Sequence, residues 1–307
     1  SWSWRGDQTL RAPHSPRLFG CPFLPNVAKI DFTMSEPAPP LVPREGWHVM
    51  HLFYHIDHGQ WQMLDESEKR EAKTGFTELI QEIRTTPDTQ LLTFTIATPK
   101  ADLGFMLLTP DLQIANTFEK RLTLSLGVDV LTPVYSYLSQ TERSEYTTSS
   151  EQYAEETLKQ EEGLSEGSPE FSSKLKEFDD RMENYLQHRL YPSLPDWPAI
   201  CFYPMSKRRH GNDNWYALDY EERRTLMKGH ATTGRKYSGR ILQLITGSTG
   251  LDDAEWGVTL LAKDTIDIKA IVYEMRFDPV SVRYGEFGDF YIGMQMPLDE
   301  IFKRLCL

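Results

Sequence analysis

The strongest constraint on the fold is an order of predicted secondary structure that occurs twice along the chain. Between residues 47 and 139, the spacing of apolar side chains predicts strand, helix, strand, strand, helix and strand, with an amphipathic helix over residues 65–85. The same order is predicted again between residues 199 and 296. Each copy is a β-α-β-β-α-β unit. We therefore expect an α+β protein made of duplicated ferredoxin-like halves, a fold of the dimeric α+β barrel type in which the halves pack through their sheets.

This pattern divides the chain into four regions: a disordered or extended leader (1–45), an N-terminal ferredoxin-like half (46–140), an acidic linker with a helix (141–188) and a C-terminal ferredoxin-like half (189–307). Within the leader, residues 1–33 show no periodicity, and Met34 opens a typical protein start. We interpret residues 1–33 as disordered or as sequence upstream of the true start. A transit peptide is the alternative interpretation.

The linker carries most of the negative charge of the chain. Residues 141–180 contain 12 acidic and 4 basic side chains, a net charge of −8 out of −12 for the whole chain. The stretch from Thr147 to Ser173 is rich in Ser, Thr, Glu and Gly, which predicts a solvated, mobile linker. Helical spacing resumes after Ser173.

Composition excludes several classes of partner. A net charge of −12 argues against a nucleic acid or an anionic membrane as the main partner. No apolar run reaches the roughly 18 to 20 residues of a membrane span. The three cysteines lack the CxxC spacing of a zinc site and are interpreted as reduced thiols of a cytoplasmic protein. They are Cys21, Cys201 and Cys306.

Two polar clusters could suggest a catalytic or metal-binding role, but the spacing of their residues does not support one. Four histidines open the first half: His48, His51, His55 and His58. On the predicted strand, His51 and His55 share a face but lie about 13 to 14 Å apart, too far for one metal ion. Asp252 and Asp253 follow a GSTG turn, where they cap or form the turn. Structural or surface roles are therefore expected for both clusters.

The C-terminal half contains the better candidates. The sequence lacks GxGxxG, GxxxxGK and GxSxG, so nucleotide-binding and serine-hydrolase interpretations lose their usual support. His230 ends a predicted helix, where an imidazole can serve as a donor or a haem ligand, although a lone histidine is more often structural. Basic residues gather around it: Lys207, Arg208, Arg209, Arg223, Arg224, Lys228, Arg235, Lys236 and Arg240. Such a group suits a flat ligand with several carboxylates, but spacing alone favours ordinary surface charge.

Four sequence motifs carry a resemblance to a known family. They are CFYPMSKRR, NWYALDYEER, the GRKYSGRILQLITGSTGLDDAEWGVTL block after His230, and IVYEMRFDPVSVRYGEFG. Together they resemble the chlorite dismutase superfamily, most closely its coproheme decarboxylase branch. The motifs span about Arg189 to Gly293. Residues 46–140 resemble the family's first half more loosely, and neither the leader nor the acidic linker is covered.

The resemblance implies a ring-shaped homopentamer with one porphyrin pocket per subunit, in the C-terminal half. By position in the motifs, His230 matches the proximal iron ligand and Gln243 the distal glutamine. Tyr203 matches the tyrosine that carries a radical, and Lys207 a lysine close to a reacting propionate. The remaining matches are residues at the porphyrin edge or its propionates: Arg189, Met205 and Ser281.

The implied reaction is oxidative decarboxylation of Fe-coproporphyrin III (coproheme), which is both cofactor and substrate. Two of its four propionates become vinyl groups, and the product is haem b. Hydrogen peroxide is the oxidant, and a tyrosyl radical on Tyr203 passes the oxidising equivalent to a propionate. Lys207 would orient the carboxylate and assist proton movement. A transient contact with coproporphyrin ferrochelatase is also implied.

Two alternatives remain at this point. A chlorite dismutase carries a distal arginine where this chain has Gln243, and lacks the tyrosine–lysine pair. A non-catalytic haem carrier needs only ligation and shape, so the presence of Tyr203, Lys207 and Arg189 together argues against it. Ala254 departs from a tryptophan common in the family, which affects packing or electron transfer rather than a primary catalytic group.

Overall fold

A computed structural model describes residues 38–307. The predicted leader therefore lies outside the described residues for positions 1–37. Its last part forms neither helix nor strand, but the backbone of Leu41 makes two hydrogen bonds to the first half. The Leu41 amide donates to Asp111 Oδ1 at 2.9 Å, and the Leu41 carbonyl accepts from the Leu112 amide at 3.0 Å.

The first half contains four strands and three helices: β1 (His48–Ile56), α1 (His58–Met63), α2 (Glu66–Thr85), β2 (Gln90–Ile96), β3 (Leu103–Thr109), α3 (Leu112–Leu124) and β4 (Leu131–Thr141). Helix α2 begins at a capping box, in which the Asp65 carboxylate accepts from the Glu68 amide and the Glu68 carboxylate accepts from the Asp65 amide. The one-sided apolar spacing of α2 buries Phe76 and Ile80 against the sheet. The helix predicted over residues 65–85 is confirmed.

The acidic linker differs from the expected mobile segment. It contains helix α4 (Ser150–Gln152), which continues into a π-helix (Tyr153–Glu161), and then helix α5 (Pro169–Leu190). Leu158 is fully buried, and the Tyr153 ring stacks on Phe178 with centroids 4.1 Å apart. A few apolar side chains therefore anchor a stretch whose composition is dominated by solvated acids.

The second half adds five strands and four helices: β5 (Ala199–Lys207), α6 (Tyr220–Arg235), β6 (Ile241–Gly247), β7 (Trp256–Ala262), α7 (Thr265–Met275), α8 (Pro279–Tyr284), β8 (Gly285–Phe287), β9 (Tyr291–Gln295) and α9 (Leu298–Arg304). Helix α6 also starts at a capping box, formed by Asp219 and Glu222. A short 3-10 turn at Trp215–Ala217 precedes it.

The strands of the two halves are ordered alike. The first half has the order β4-β1-β3-β2 and the second has β6-β7-β5-β9, all antiparallel. Two seams join the halves. At one, Gln140 of β4 pairs with Gly247 of β6, and at the other, Phe94 of β2 pairs with Gln295 of β9. The eight strands thus close on themselves, and the predicted duplication of ferredoxin-like halves is confirmed.

Alternating side chains of these strands separate an interior from two outer faces. The interior is largely aromatic and aliphatic: Val49, Phe53, Phe94, Tyr137, Phe202, Leu244 and Leu261 are all buried there. Helices α2 and α3 cover the outer face of the first sheet, and α7 packs on the outer face of the second. The interior is therefore a packed core rather than a channel.

Two of the clustered histidines have separate partners. His51 is fully buried in the interior, where its Nε2 lies 2.8 Å from Thr259 Oγ1 and its ring stacks on Phe202 at 4.0 Å. His48 Nδ1 lies 3.0 Å from the Pro110 carbonyl. Among the described residues, no group of three or more His, Cys, Asp or Glu side chains could hold a metal ion. In the same part of the chain, no helix has the length and hydropathy needed to cross a membrane.

Candidate functional site

Helix α6 packs on its half of the sheet very differently from α2, its counterpart in the first half. Helix α2 buries four large apolar side chains against the sheet, whereas Gly234 is the sole buried residue of α6. Several apolar side chains on the outer face of the second sheet remain only partly buried: Met205, Ile245, Phe287, Phe290 and Ile292. The second half therefore keeps an apolar face that its first helix does not seal.

Strand register places several predicted site residues on this face. Tyr203, Met205 and Lys207 alternate along β5 and so point to one side of the sheet. Gln243 lies on the same side of β6, between Ile241 and Ile245. Because β7 separates β5 from β6, Gln243 lies roughly 10 Å across the sheet from β5.

The Tyr203 side chain is buried, and its ring stacks on Phe290 with centroids 4.3 Å apart and planes 23° from parallel. Burial raises the pKa of the Tyr203 phenol well above its usual range. The side chain is therefore a neutral phenol held against an aromatic wall, and it can act as a hydrogen-atom donor but not as a base.

Lys207 is a buried cation at the end of β5. Its Nζ lies 4.7 Å from the centre of the Trp215 ring, and its backbone amide donates to Glu255 Oε2 at 2.6 Å. Burial lowers the pKa of the Lys207 ammonium to about 8, while the charges of Asp278 and Glu255 act in the opposite direction. An anionic ligand beside this buried ammonium would favour its charged form.

His230 lies in α6, and its Nδ1 is 2.8 Å from Asp278 Oδ2, just before α8. Burial lowers the pKa of His230, and the hydrogen bond to Asp278 opposes that shift. Because a carboxylate can only accept, Nδ1 carries the hydrogen and Nε2 keeps its lone pair. That tautomer is the one required of a histidine that binds a metal through Nε2.

Gln243 connects β6 to the C-terminal turn of α6. Its Nε2 donates to the Gly234 carbonyl at 3.1 Å. A Cβ at position 234 would lie 3.4 Å from both amide atoms of Gln243, so the helix and strand approach closely where residue 234 is glycine. Gln243 itself is exposed, which leaves its amide accessible from the outer face.

The two residues expected to hold propionates lie at different edges of this region. Arg189 is in the last turn of α5, and its Nε donates to the Glu142 carbonyl at 2.7 Å. Ser281 lies in α8, three residues after Asp278, and its carbonyl accepts from the Gly285 amide. The structure thus brings Tyr203, Met205, Lys207 and Gln243 onto one face, with Arg189 and Ser281 on elements that border it.

Sequence reasoning missed four side chains that shape this region: Asp278, Glu255, Trp215 and Phe290. The signal for Asp278 was its place at the start of the DPVSVRYG motif. Glu255 is 5% exposed and accepts from the Tyr216 hydroxyl at 2.5 Å. Nothing in hydrophobic spacing marks a buried acid, since its partners lie far away in the sequence.

An open cleft of about 620 Å³ lies elsewhere, along α5. Its lining is largely charged, including Arg143, Asp179 and Glu183. It contains none of the side chains predicted for the site. The side chains predicted for the site therefore lie outside this cleft.

Known proteins resemble this chain over most of its length. The family model described as Chlorite dismutase matches residues 69–296. A solved structure of a heme-binding protein from Thermus thermophilus is 36% identical, with a TM-score of 0.71, and the match covers 88% of this chain and 99% of that one.

Chlorite dismutase from Candidatus Nitrospira defluvii in complex with imidazole is 19% identical, with a TM-score of 0.63 and coverage of 86% and 97%. A doubly substituted variant of that enzyme is likewise 19% identical, with a TM-score of 0.64 and coverage of 86% and 98%. At this identity the likeness concerns the fold alone.

Proposed function

The chain belongs to the chlorite dismutase family, and from that premise we propose that it binds coproheme on the outer face of its second half and oxidatively decarboxylates it to haem b. The proposal rests mainly on the hydrogen bond between His230 and Asp278, which fixes the tautomer of the imidazole. This contact lies beside the strand face that bears Tyr203 and Lys207. The 36% identical relative is described as a heme-binding protein, which supports a porphyrin ligand.

The residue types fit an iron porphyrin. His230 offers an imidazole nitrogen for the iron. The incompletely covered apolar face suits a flat macrocycle, and Met205 lies within it. Lys207 and Arg189 supply cations for propionates, which would otherwise be costly to bury.

The net reaction removes two electrons from each propionate and consumes one proton. R–CH2–CH2–COO⁻ + H2O2 + H⁺ gives R–CH=CH2 + CO2 + 2 H2O, so the propionate is oxidised and the peroxide is reduced. The iron porphyrin, when bound, supplies the redox chemistry with peroxide. The protein must then hold the propionate, deliver the oxidising equivalent to its β-carbon and move the proton.

Tyr203 suits the second of these tasks. Its raised pKa keeps the phenol protonated at neutral pH, so that it can lose an electron and a proton together and afterwards recover a hydrogen atom from the propionate. Lys207 suits the first and third tasks. A propionate carboxylate beside its buried ammonium would favour the charged form, and the ammonium can donate a hydrogen bond or a proton to that carboxylate.

The test is to titrate the purified protein with iron coproporphyrin III, add hydrogen peroxide and follow the porphyrin by mass spectrometry. We expect two successive losses of CO2. Tyr203→Phe should retain binding and abolish both losses, whereas Tyr273→Phe, at an exposed position of α7, should leave them unchanged. Release of dioxygen from chlorite, or binding without decarboxylation, would instead favour a chlorite dismutase-like enzyme or a non-catalytic haem-binding protein.

A homopentameric ring belongs to the same proposal, as does a transient contact with coproporphyrin ferrochelatase. Light scattering on the purified protein measures the number of subunits directly. A mass other than five times that of the 35.5 kDa chain would contradict the ring of five.

A further inference from the structure

Glu142 lies where the two halves of the chain meet, directly after β4. At this seam, Thr141 pairs with Thr246 and Gln140 pairs with Gly247. The carbonyl of Glu142 accepts from Arg189 Nε at 2.7 Å. Its backbone therefore orients the guanidinium that is expected to hold a propionate.

The Glu142 side chain rests on Gly247. A Cβ at position 247 would lie 2.2, 2.3 and 2.5 Å from Oε2, Cδ and Oε1 of Glu142, so this carboxyl group occupies the space that the side chain of any larger residue at position 247 would enter. Trp256, the register partner of Gly247, donates from Nε1 to Oε1 at 3.3 Å. The carboxyl group is thus held in a socket made by two neighbouring strands.

This socket opens on the same outer face as the candidate site. Trp256 pairs with Gly247 on one side and with Met205 on the other, and alternation places all three on the side of the sheet that bears Tyr203. The Glu142 carboxyl group is therefore about two strand spacings, roughly 10 Å, from Met205 across a single row of the sheet.

The carboxyl group has no ion-pair partner in the described part of the chain. Arg189 binds the carbonyl rather than the carboxylate, and the other contact is the neutral indole of Trp256. Burial raises the pKa of Glu142, Trp256 and Arg189 oppose the shift, and the nearby charge of Glu145 adds to it. A carboxylic acid that keeps its proton can donate to a carboxylate, and such charge-assisted hydrogen bonds are strong.

We propose that Glu142 is a specificity-determining residue of the porphyrin site, whose carboxylic acid donates a hydrogen bond to the propionate that Arg189 binds. The inference rests on the proposed function, because it takes coproheme as the ligand. It adds a neutral donor beside the guanidinium, so that one propionate is bound by both. A purely structural Glu142 would instead only fasten β4 to β6.

Two variants that fill the space over Gly247 separate these roles. Glu142→Leu removes the donor, while Glu142→Gln keeps an N–H donor of nearly the same length. Binding to the porphyrin-free protein is measured by absorbance titration with iron coproporphyrin III. We expect Glu142→Leu to raise the Kd about tenfold to a hundredfold, the usual effect of losing a hydrogen bond to a charged group. Glu142→Gln should stay within about threefold of the wild type.

The control is Glu161→Gln, at an exposed position of the acidic linker whose charge is not among those that act on Glu142. It should leave the Kd unchanged. Thermal unfolding of every variant shows whether the seam is intact, independently of any porphyrin.

The tetramethyl ester of iron coproporphyrin III, delivered in the same detergent for all proteins, provides the deciding comparison. Because the ester has no carboxylates, Glu142→Leu should change its Kd less than twofold. Equal weakening for acid and ester would overturn the proposal in favour of a structural role. An unchanged or tighter binding of the acid by Glu142→Leu would also overturn it.

The same wild-type samples, treated with peroxide, report on the proposed reaction separately. Suppose that the wild type binds coproheme without releasing CO2, while Glu142→Leu weakens binding of the free acid but not of the ester. The decarboxylase proposal is then wrong, and the role of Glu142 is supported. If CO2 is released and no such difference between acid and ester is found, the reverse holds.

Discussion

His230 Nδ1 lies 2.8 Å from Asp278 Oδ2, and this contact joins α6 to the turn that precedes α8. Asp278 is 8% exposed, so water competes weakly for its carboxylate. Helix α6 buries little else against the sheet. The contact therefore fixes the tautomer of the imidazole and joins α6 to the start of α8.

Asp278→Asn should weaken iron-porphyrin binding about tenfold to a hundredfold, the usual effect of changing a group that orients a metal ligand. An asparagine can present an N–H to Nδ1, which favours the tautomer with the hydrogen on Nε2. The measurement is an absorbance titration, together with the iron–histidine stretching frequency from resonance Raman spectra. Asp213→Asn is the control, because Asp213 pairs with Arg283 away from His230. Equal affinities for wild type and Asp278→Asn would remove Asp278 from this role.

Lys207→Met should stabilise the porphyrin-free protein. The pKa of Lys207 falls from 10.5 in the unfolded chain to about 8 in the folded chain. Between these values the unfolded state binds the extra proton, so wild-type stability increases as the pH rises from 8 to 10.5. Below pH 8 Lys207 is charged in both states, so the folded protein bears the full cost of burying the ammonium. We therefore expect Lys207→Met to be about 1–3 kcal/mol more stable than the wild type at pH 7.

Urea unfolding at pH 7 and pH 10 measures this difference, with Lys269→Met, on the exposed side of α7, as the control. The same Lys207 variant should bind iron coproporphyrin III more weakly. A variant that is destabilised and binds normally would mark Lys207 as a structural residue.

The main elements of both halves could be predicted because their residues alternate with the periods of strands and helices. The apolar face of α2 and the strand through Tyr203 are examples. The order of the strands follows from the duplicated unit rather than from any single segment. Periodicity did not predict the helices around Leu158, because a few buried apolar side chains there are outnumbered by acids. The partners of His230 and Lys207 could not be predicted, since contacts such as that with Asp278 join residues 48 positions apart.

The linker should stabilise α6 through a paired contact. Arg224 Nη1 and Nη2 donate to Glu156 Oε1 and Oε2 at 2.9 and 2.5 Å, which ties the π-helix to α6. Glu156→Gln should therefore speed amide hydrogen exchange across residues 220–235, as followed by mass spectrometry. The change in global stability should be small because both side chains remain partly exposed to water. Glu155→Gln, which loses only a contact with Lys159 inside the linker, should leave exchange in α6 unchanged.

His51 should make the fold sensitive to acid. It is fully buried, and burial lowers its pKa from 6.5 to about 3. As the pH falls below 6.5, His51 becomes protonated in the unfolded state but stays neutral in the folded state. Stability therefore decreases until the pH reaches about 3. One such histidine contributes a slope of about 1.4 kcal/mol per pH unit within that window.

The slope of unfolding free energy against pH between 6 and 4 should therefore be shallower in His51→Gln than in the wild type. His58→Gln, at an exposed position of α1, should retain the wild-type slope. Since His51 contacts Thr259 across the interior, a wild-type slope in His51→Gln would mean that other groups cause the acid sensitivity and that the histidine serves packing alone.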